Sequence, residues 1–77
     1  MTLKIISAED VVFEGEVSSV TLPGQMGEFT VLKNHASLVS VLNPGTITYT
    51  EDGDAQSVYI QGGLVDVDNN VISVCLC

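Results

Sequence analysis

His35 is the only histidine of this 77-residue chain, and Cys75 and Cys77 are its only cysteines. These side chains have the widest chemical range: general base, nucleophile, soft metal ligand. A catalytic His35 needs a nucleophile or an orienting acid beside it, and no Ser-His-Asp or Cys-His motif supplies one. Cys-x-Cys makes half a zinc site, because zinc takes about four ligands and His35 is the only other soft one. We read Cys75 and Cys77 as reduced strand thiols in a cytosolic setting, since a bridge between them would be strained and would close almost no loop. The acids Glu51, Asp52, Asp54, Asp66 and Asp68 lack the spacing of a calcium loop. Gly24, Gly27, Gly62 and Gly63 are not followed by the Lys-Ser/Thr of a phosphate loop. The expectation is therefore no catalytic residue, no metal, no cofactor and no small-molecule substrate.

One stretch stands apart. From Leu22 to Leu38, with Asn43-Pro44-Gly45 just beyond, lie both prolines, three of the seven glycines and the histidine. Pro23-Gly24 fits the middle of a type II turn, where proline presets φ and glycine accepts the positive φ that follows. Gly27 suits a bulge or second turn, and Pro44-Gly45 suits another turn. The loop between them is expected to present Glu28, Lys33, Asn34 and His35 to a partner.

The elements that must position this loop read as strands. Thr46-Ile47-Thr48-Tyr49-Thr50 alternates, with Ile47 and Tyr49 on one face. Glu51-Asp52-Gly53-Asp54 is a hairpin turn, and Gln56 to Ile60 returns as its partner. Gly62-Gly63 punctuates. Leu64 to Val67 follows with Val65 and Val67 inward, and Asp68-Asn69-Asn70 turns into a last strand from Val71. Upstream, Leu3 to Ser7, Val11 to Phe13 and Val17 to Leu22 are further strands. Lys33 to Leu42 reads as a loop leading into a strand. Turns every 8–12 residues or so predict an all-β fold, a small antiparallel β-sandwich or flattened barrel of about eight to ten short strands. Residues 1–77 make one domain. The seven C-terminal residues are all apolar or small, so the last strand is expected to be buried on both faces, by the core and by a following segment or a partner.

Composition narrows the partners. Ten acids against two lysines and no arginine give a net charge of -8. Nucleic-acid backbones and anionic lipid both call for clustered Lys/Arg, so neither is a partner, and a basic protein surface is the natural complement. No run approaches the ~20 apolar residues of a membrane span, and Met1 to Ser7 lacks a signal-peptide pattern. An apolar content of 45% in so short a chain reads either as a two-sheet core or as an exposed apolar patch for a subunit contact.

The ordered pattern resembles the epsilon subunit of F-type ATP synthases. That family's N-terminal domain carries a run Pro-Gly-x-x-Gly-Glu-Phe/Leu-Gly-Val/Ile-Leu-x-x-His-Ala-Pro-Leu, then a Pro-Gly before a strand. The chain matches at Pro23, Gly24, Gly27, Glu28, Phe29, Val31, Leu32, His35, Ala36, Leu38, Pro44 and Gly45. Ser7-Ala8-Glu9 with Phe13-x-Gly15, and Tyr59 to Val67 around Gly62-Gly63, fit its flanks. The departures are Thr30 for glycine, Lys33-Asn34 for Pro-Gly, and Ser37 for proline. The resemblance implies a non-catalytic subunit of the central stalk, or rotor, that binds the gamma subunit and the c-ring and couples proton translocation to ATP synthesis. It implies a peripheral place on the cytoplasmic face of a bacterial inner membrane, with no direct lipid insertion. It puts Glu28, Lys33, Asn34 and His35 on a c-ring-facing loop, makes Ser7 and Ser40 gamma-facing candidates, and has one outer sheet face pack on gamma. The structural turns are Pro23, Gly24, Gly27, Pro44, Gly45, Gly62 and Gly63. Most members continue into an inhibitory C-terminal helical hairpin. Its absence from these 77 residues leads us to expect a naturally short epsilon that couples without that inhibition. Two alternatives from other classes are a stand-alone β-sandwich module binding a protein, peptide or carbohydrate, and a small metal- or histidine-dependent enzyme.

Overall fold

Nine strands occupy the chain in a computed structural model that describes residues 1–77. They are β1 (Thr2–Ile6), β2 (Val11–Glu16), β3 (Ser19–Gly24), β4 (Gly27–Leu32), β5 (Leu38–Leu42), β6 (Gly45–Glu51), β7 (Asp54–Ile60), β8 (Gly63–Asp68) and β9 (Val71–Leu76). The cause is local: β-branched residues recur at period two, and turn residues bound each run. Asp52 (φ 51°) and Gly53 (φ 84°) form the two-residue turn between β6 and β7, with Glu51 opposite Asp54.

The strands form one continuous sheet in the order β2-β1-β9-β8-β5-β3-β6-β7, with β4 on the other side of β3. The sheet folds over at β3. The first half of β3 pairs with β6 (Thr21 opposite Thr48), but at its end the same edge pairs with β5 through Gly24 and Leu42 alone. This split makes two layers, β2-β1-β9-β8-β5 and β4-β3-β6-β7, which is the sandwich expected from the sequence. Between them lie 14 buried apolar residues, including Leu3, Ile5, Val20, Leu22, Val31, Ile47, Val65, Val67, Ile72 and Val74.

Pairing is antiparallel throughout except between β1 and β9, which run parallel. Parallel neighbours need a long connection, and here nearly the whole domain supplies it.

Both Pro-Gly dipeptides differ from the expected turns. Pro23 and Gly24 continue β3 opposite Glu28 and Gly27, and the turn falls on Gln25-Met26. Pro23 sits where the far edge of β3 changes partner, so its missing N–H leaves no ladder bond unmade, and its carbonyl accepts the Asn43 N–H at 2.8 Å. Gly45 opens β6 instead of completing a turn at Pro44. The two dipeptides meet in space: a Cβ on Gly45 would stand 2.9 Å from Pro23 Cβ. A Cβ on Gly24 would stand 2.7 Å from the Gly27 carbonyl and from the Phe29 ring. These two glycines provide room, not positive φ.

Gly27 has φ 126° just after the β3–β4 turn, Gly62 has φ 131° between β7 and β8, and Gly63 opens β8.

At the start of the chain, the Glu16 carboxylate accepts the Thr2 hydroxyl at 2.7 Å and the Met1 ammonium at 3.0 Å. The Thr2 hydrogen bond first, and the ammonium second, hold its carboxyl below the ordinary glutamate range. Because the folded value is the lower one, this contribution is present above the unfolded glutamate range and is lost as pH falls through the folded value. Glu16→Gln should therefore flatten part of the acid limb when thermal midpoint is followed against pH. An unchanged limb would show that the pair does not couple to folding.

Candidate interaction surfaces

β4 has a neighbour on one side only, so its other edge is open. Glu28 stands at its start and Lys33-Asn34-His35 at its end, all exposed. At roughly 3.3 Å per residue the two ends are about 16 Å apart. The four expected loop residues thus occupy both ends of one strand edge, not a single loop. Met26, 98% exposed at the tip of the β3–β4 turn, extends the Glu28 end.

The His35 end is closely held. Leu32 to His35 is a turn closed by the His35 N–H to the Leu32 carbonyl at 3.1 Å. Asn34, its third residue, has φ 67° and Lys33 does not have positive φ, the pattern of a type II turn. The turn type expected at Pro23-Gly24 therefore occurs at Lys33-Asn34. His35 Nδ1 lies 2.7 Å from the Ala36 carbonyl. A carbonyl only accepts, so Nδ1 carries a hydrogen and donates.

The β8–β9 turn reaches this loop. Asn70 Oδ1 accepts the Asn34 N–H at 2.7 Å, and Asn70 Nδ2 donates to Asn34 Oδ1 at 3.2 Å. Next to it the Ser37 hydroxyl donates to Asp68 at 2.7 Å.

A second surface is the outer face of the five-strand layer. Register places Val41 (β5), Leu64 (β8), Cys75 (β9), Ile6 (β1) and Val11 (β2) in one row across it. Val41 is 44%, Leu64 51% and Val11 52% exposed, and Val39, in the next row, is 73% exposed. Asp66, Ser73, Lys4 and Glu14 complete that next row, followed by Asp68, Val71, Thr2 and Glu16. The face thus grades from an apolar end to an acidic one. Cys75 and Cys77 are free and exposed, and in the single chain nothing covers the outward side of β9.

Ser7 borders the apolar row in the turn between β1 and β2, its amide bonded to the Asp10 carbonyl at 2.8 Å. Ser40 is half-buried on the inward side of β5, opposite buried Val65, so the outward positions of that strand are Val39 and Val41. Apart from Cys75, in the last strand expected to gain an outer cover, sequence reasoning named none of the apolar row. The available signal was apolar residues at both parities of one strand: Val39 and Val41 beside Leu38 and Leu42, Ile6 after Ile5, and Leu64 before Val65.

A β-sandwich carrying an apolar outer face and a polar strand edge defines an interaction domain. The chain belongs to the ATP synthase delta/epsilon family: residues 1–76 match the domain described as "ATP synthase, Delta/Epsilon chain, beta-sandwich domain". Among curated relatives, the ATP synthase epsilon chain of Nitratiruptor sp. is 46% identical over 71 residues, which are 91% of this chain and 55% of that protein. The ATP synthase epsilon chain of Sulfurimonas denitrificans is 43% identical over 75 residues, 96% of this chain and 58% of that one. The chain spans about half the length of these relatives. The fold also matches a chain of the Euglena gracilis mitochondrial ATP synthase, solved as OSCP/F1/c-ring, with TM-score 0.89 and 25% identity over 96% of this chain and 48% of that one. A chain of the Tetrahymena thermophila mitochondrial ATP synthase central stalk and c-ring has the same fold, with TM-score 0.82 at 13% identity over 97% of this chain and 61% of that one.

Proposed function

We propose that this domain is a non-catalytic part of the central stalk of an F1Fo ATP synthase, seated between gamma and the c-ring, where it helps couple proton translocation to ATP synthesis. The observation that carries this is the apolar row Val41–Leu64–Cys75–Ile6–Val11, assembled from all five strands of one layer. Apolar side chains on an outward face cost free energy in water and regain it against a partner. The acidic end of the same face selects a basic partner surface and fixes its orientation. The open β4 edge, with Glu28 at one end and His35 at the other, is the side for the c-ring. In a bacterium the assembly lies peripherally on the cytoplasmic face of the inner membrane.

The carbohydrate-module alternative needs an aromatic platform. Of the four aromatic residues only Tyr59 stands well exposed, while Phe13 and Tyr49 pack against each other with centroids 4.4 Å apart. The test is binding of the chain to the gamma subunit of its own complex by calorimetry. A one-to-one complex is expected, and no binding at micromolar concentration would overturn the proposal.

A further inference from the structure

The Asn34–Asn70 contact joins residues 36 apart in sequence, each in the left-handed backbone region (φ 67° and φ 61°). Asparagine is among the few non-glycine residues that adopt this conformation readily, and both here also use their side chains. The Asn70 amide meets Asn34 twice, once at the backbone N–H and once at the side-chain carbonyl. The Asn70 carbonyl in turn accepts the Thr2 N–H at 2.9 Å, so the latch is anchored to β1. The Ser37–Asp68 bond ties the same two segments a second time, on the far side of His35. The exposed turn that carries Lys33 and His35 is therefore held by the β8–β9 turn in addition to its own His35–Leu32 bond.

We propose that Asn70 is the positioning residue of the His35 turn. Its side chain holds the turn in the shape that meets the c-ring, in place of the stiffness a Pro-Gly pair would give. This rests on the docking reading above, but the latch itself is testable without any partner. A preorganised turn binds better because less ordering remains to be done on contact.

Asn70→Gly is the clean variant, because glycine keeps the left-handed backbone and removes only the side chain. Hydrogen exchange of the whole chain should show the Asn34 and His35 amides exchanging about tenfold faster or more, with Val65 and Val74 unchanged. Asn34→Gly should have a smaller effect, since its backbone N–H still reaches Asn70. Adding Asn34→Gly to Asn70→Gly should do little more, because both remove one contact. Affinity for the purified c-ring should drop about three- to tenfold in Asn70→Gly. Unchanged exchange at Asn34 in Asn70→Gly, or full additivity of the two glycine variants, would overturn the latch. Faster turn exchange with parental c-ring affinity in Asn70→Gly would overturn its positioning role. If the parent chain fails to bind the c-ring while Asn70→Gly still speeds exchange, the latch stands and the docking reading falls.

Discussion

Leu64→Asp is expected to weaken binding to gamma by roughly 30-fold or more, the loss of about 2 kcal/mol that marks a central interface residue. Leu64 stands second in the apolar row, flanked by Val41 and Cys75. A carboxylate there would be buried on association without a partner charge, and it would add to a surface that already carries Asp66 and Asp68 on the same face of β8. The fold should barely register the change, because Leu64 points away from the core and is half exposed before any partner arrives. Thr48→Asp is the matched control: Thr48 is exposed on the outer face of the four-strand layer, opposite Ser57. Calorimetric titration of both variants with gamma decides the matter. Equal losses would mean that net charge, not the row, governs binding, and full affinity in Leu64→Asp would remove the row from the interface.

Gly63→Ala should cost about 3 kcal/mol of folding stability, a large part of the 5–15 kcal/mol or so available to a domain. An added Cβ at Gly63 would lie 2.3 Å from the Cys75 carbonyl oxygen and 3.2 Å from the Cys75 carbonyl carbon. Both are backbone atoms of β9, which is held between β8 and β1 and has no flexible end to swing aside. Relief requires β8 and β9 to separate where Gly63 faces Leu76, next to the Leu64–Cys75 pair. The same substitution should therefore lower gamma affinity as well, through displacement of the row. Gly53→Asn provides the contrast: nothing lies within 4 Å of a Cβ there, and asparagine accepts its left-handed backbone. Urea unfolding should show a much lower midpoint for Gly63→Ala and a shift within about 1 kcal/mol for Gly53→Asn. A parental midpoint in Gly63→Ala would show that the two strands can part without cost.

The strand pattern was legible because its causes are local. Ile47 and Tyr49 against three threonines, Val65 and Val67 against Leu64 and Asp66, and the Asp52-Gly53 turn each follow from side-chain alternation or backbone sterics within a few residues. The Pro-Gly dipeptides were misleading for the opposite reason. Pro23 tolerates a strand because of which neighbour its edge faces at that point, and Gly24 and Gly45 are small because other segments press on them. The type II geometry instead arose at Lys33-Asn34, where the residue preferences are weaker but a distant turn supplies the support.

Sequence alone determined that this is an acidic all-β domain, and an ordered set of turn and loop residues pointed to the family. It also disclosed that the polar residues around Glu28 and His35 were worth attention. Tertiary structure decided what those residues share. Strand register brought Val41, Leu64, Cys75, Ile6 and Val11 from five separate segments into one row. A single-residue slip in any one of those strands would turn its member of the row into the core, and no local rule specifies that choice. Likewise, Asn34 and Asn70 meet because β5 pairs with β8: the contact lies just beyond the Leu38–Val67 end of that ladder and is a property of strand pairing, not of either turn.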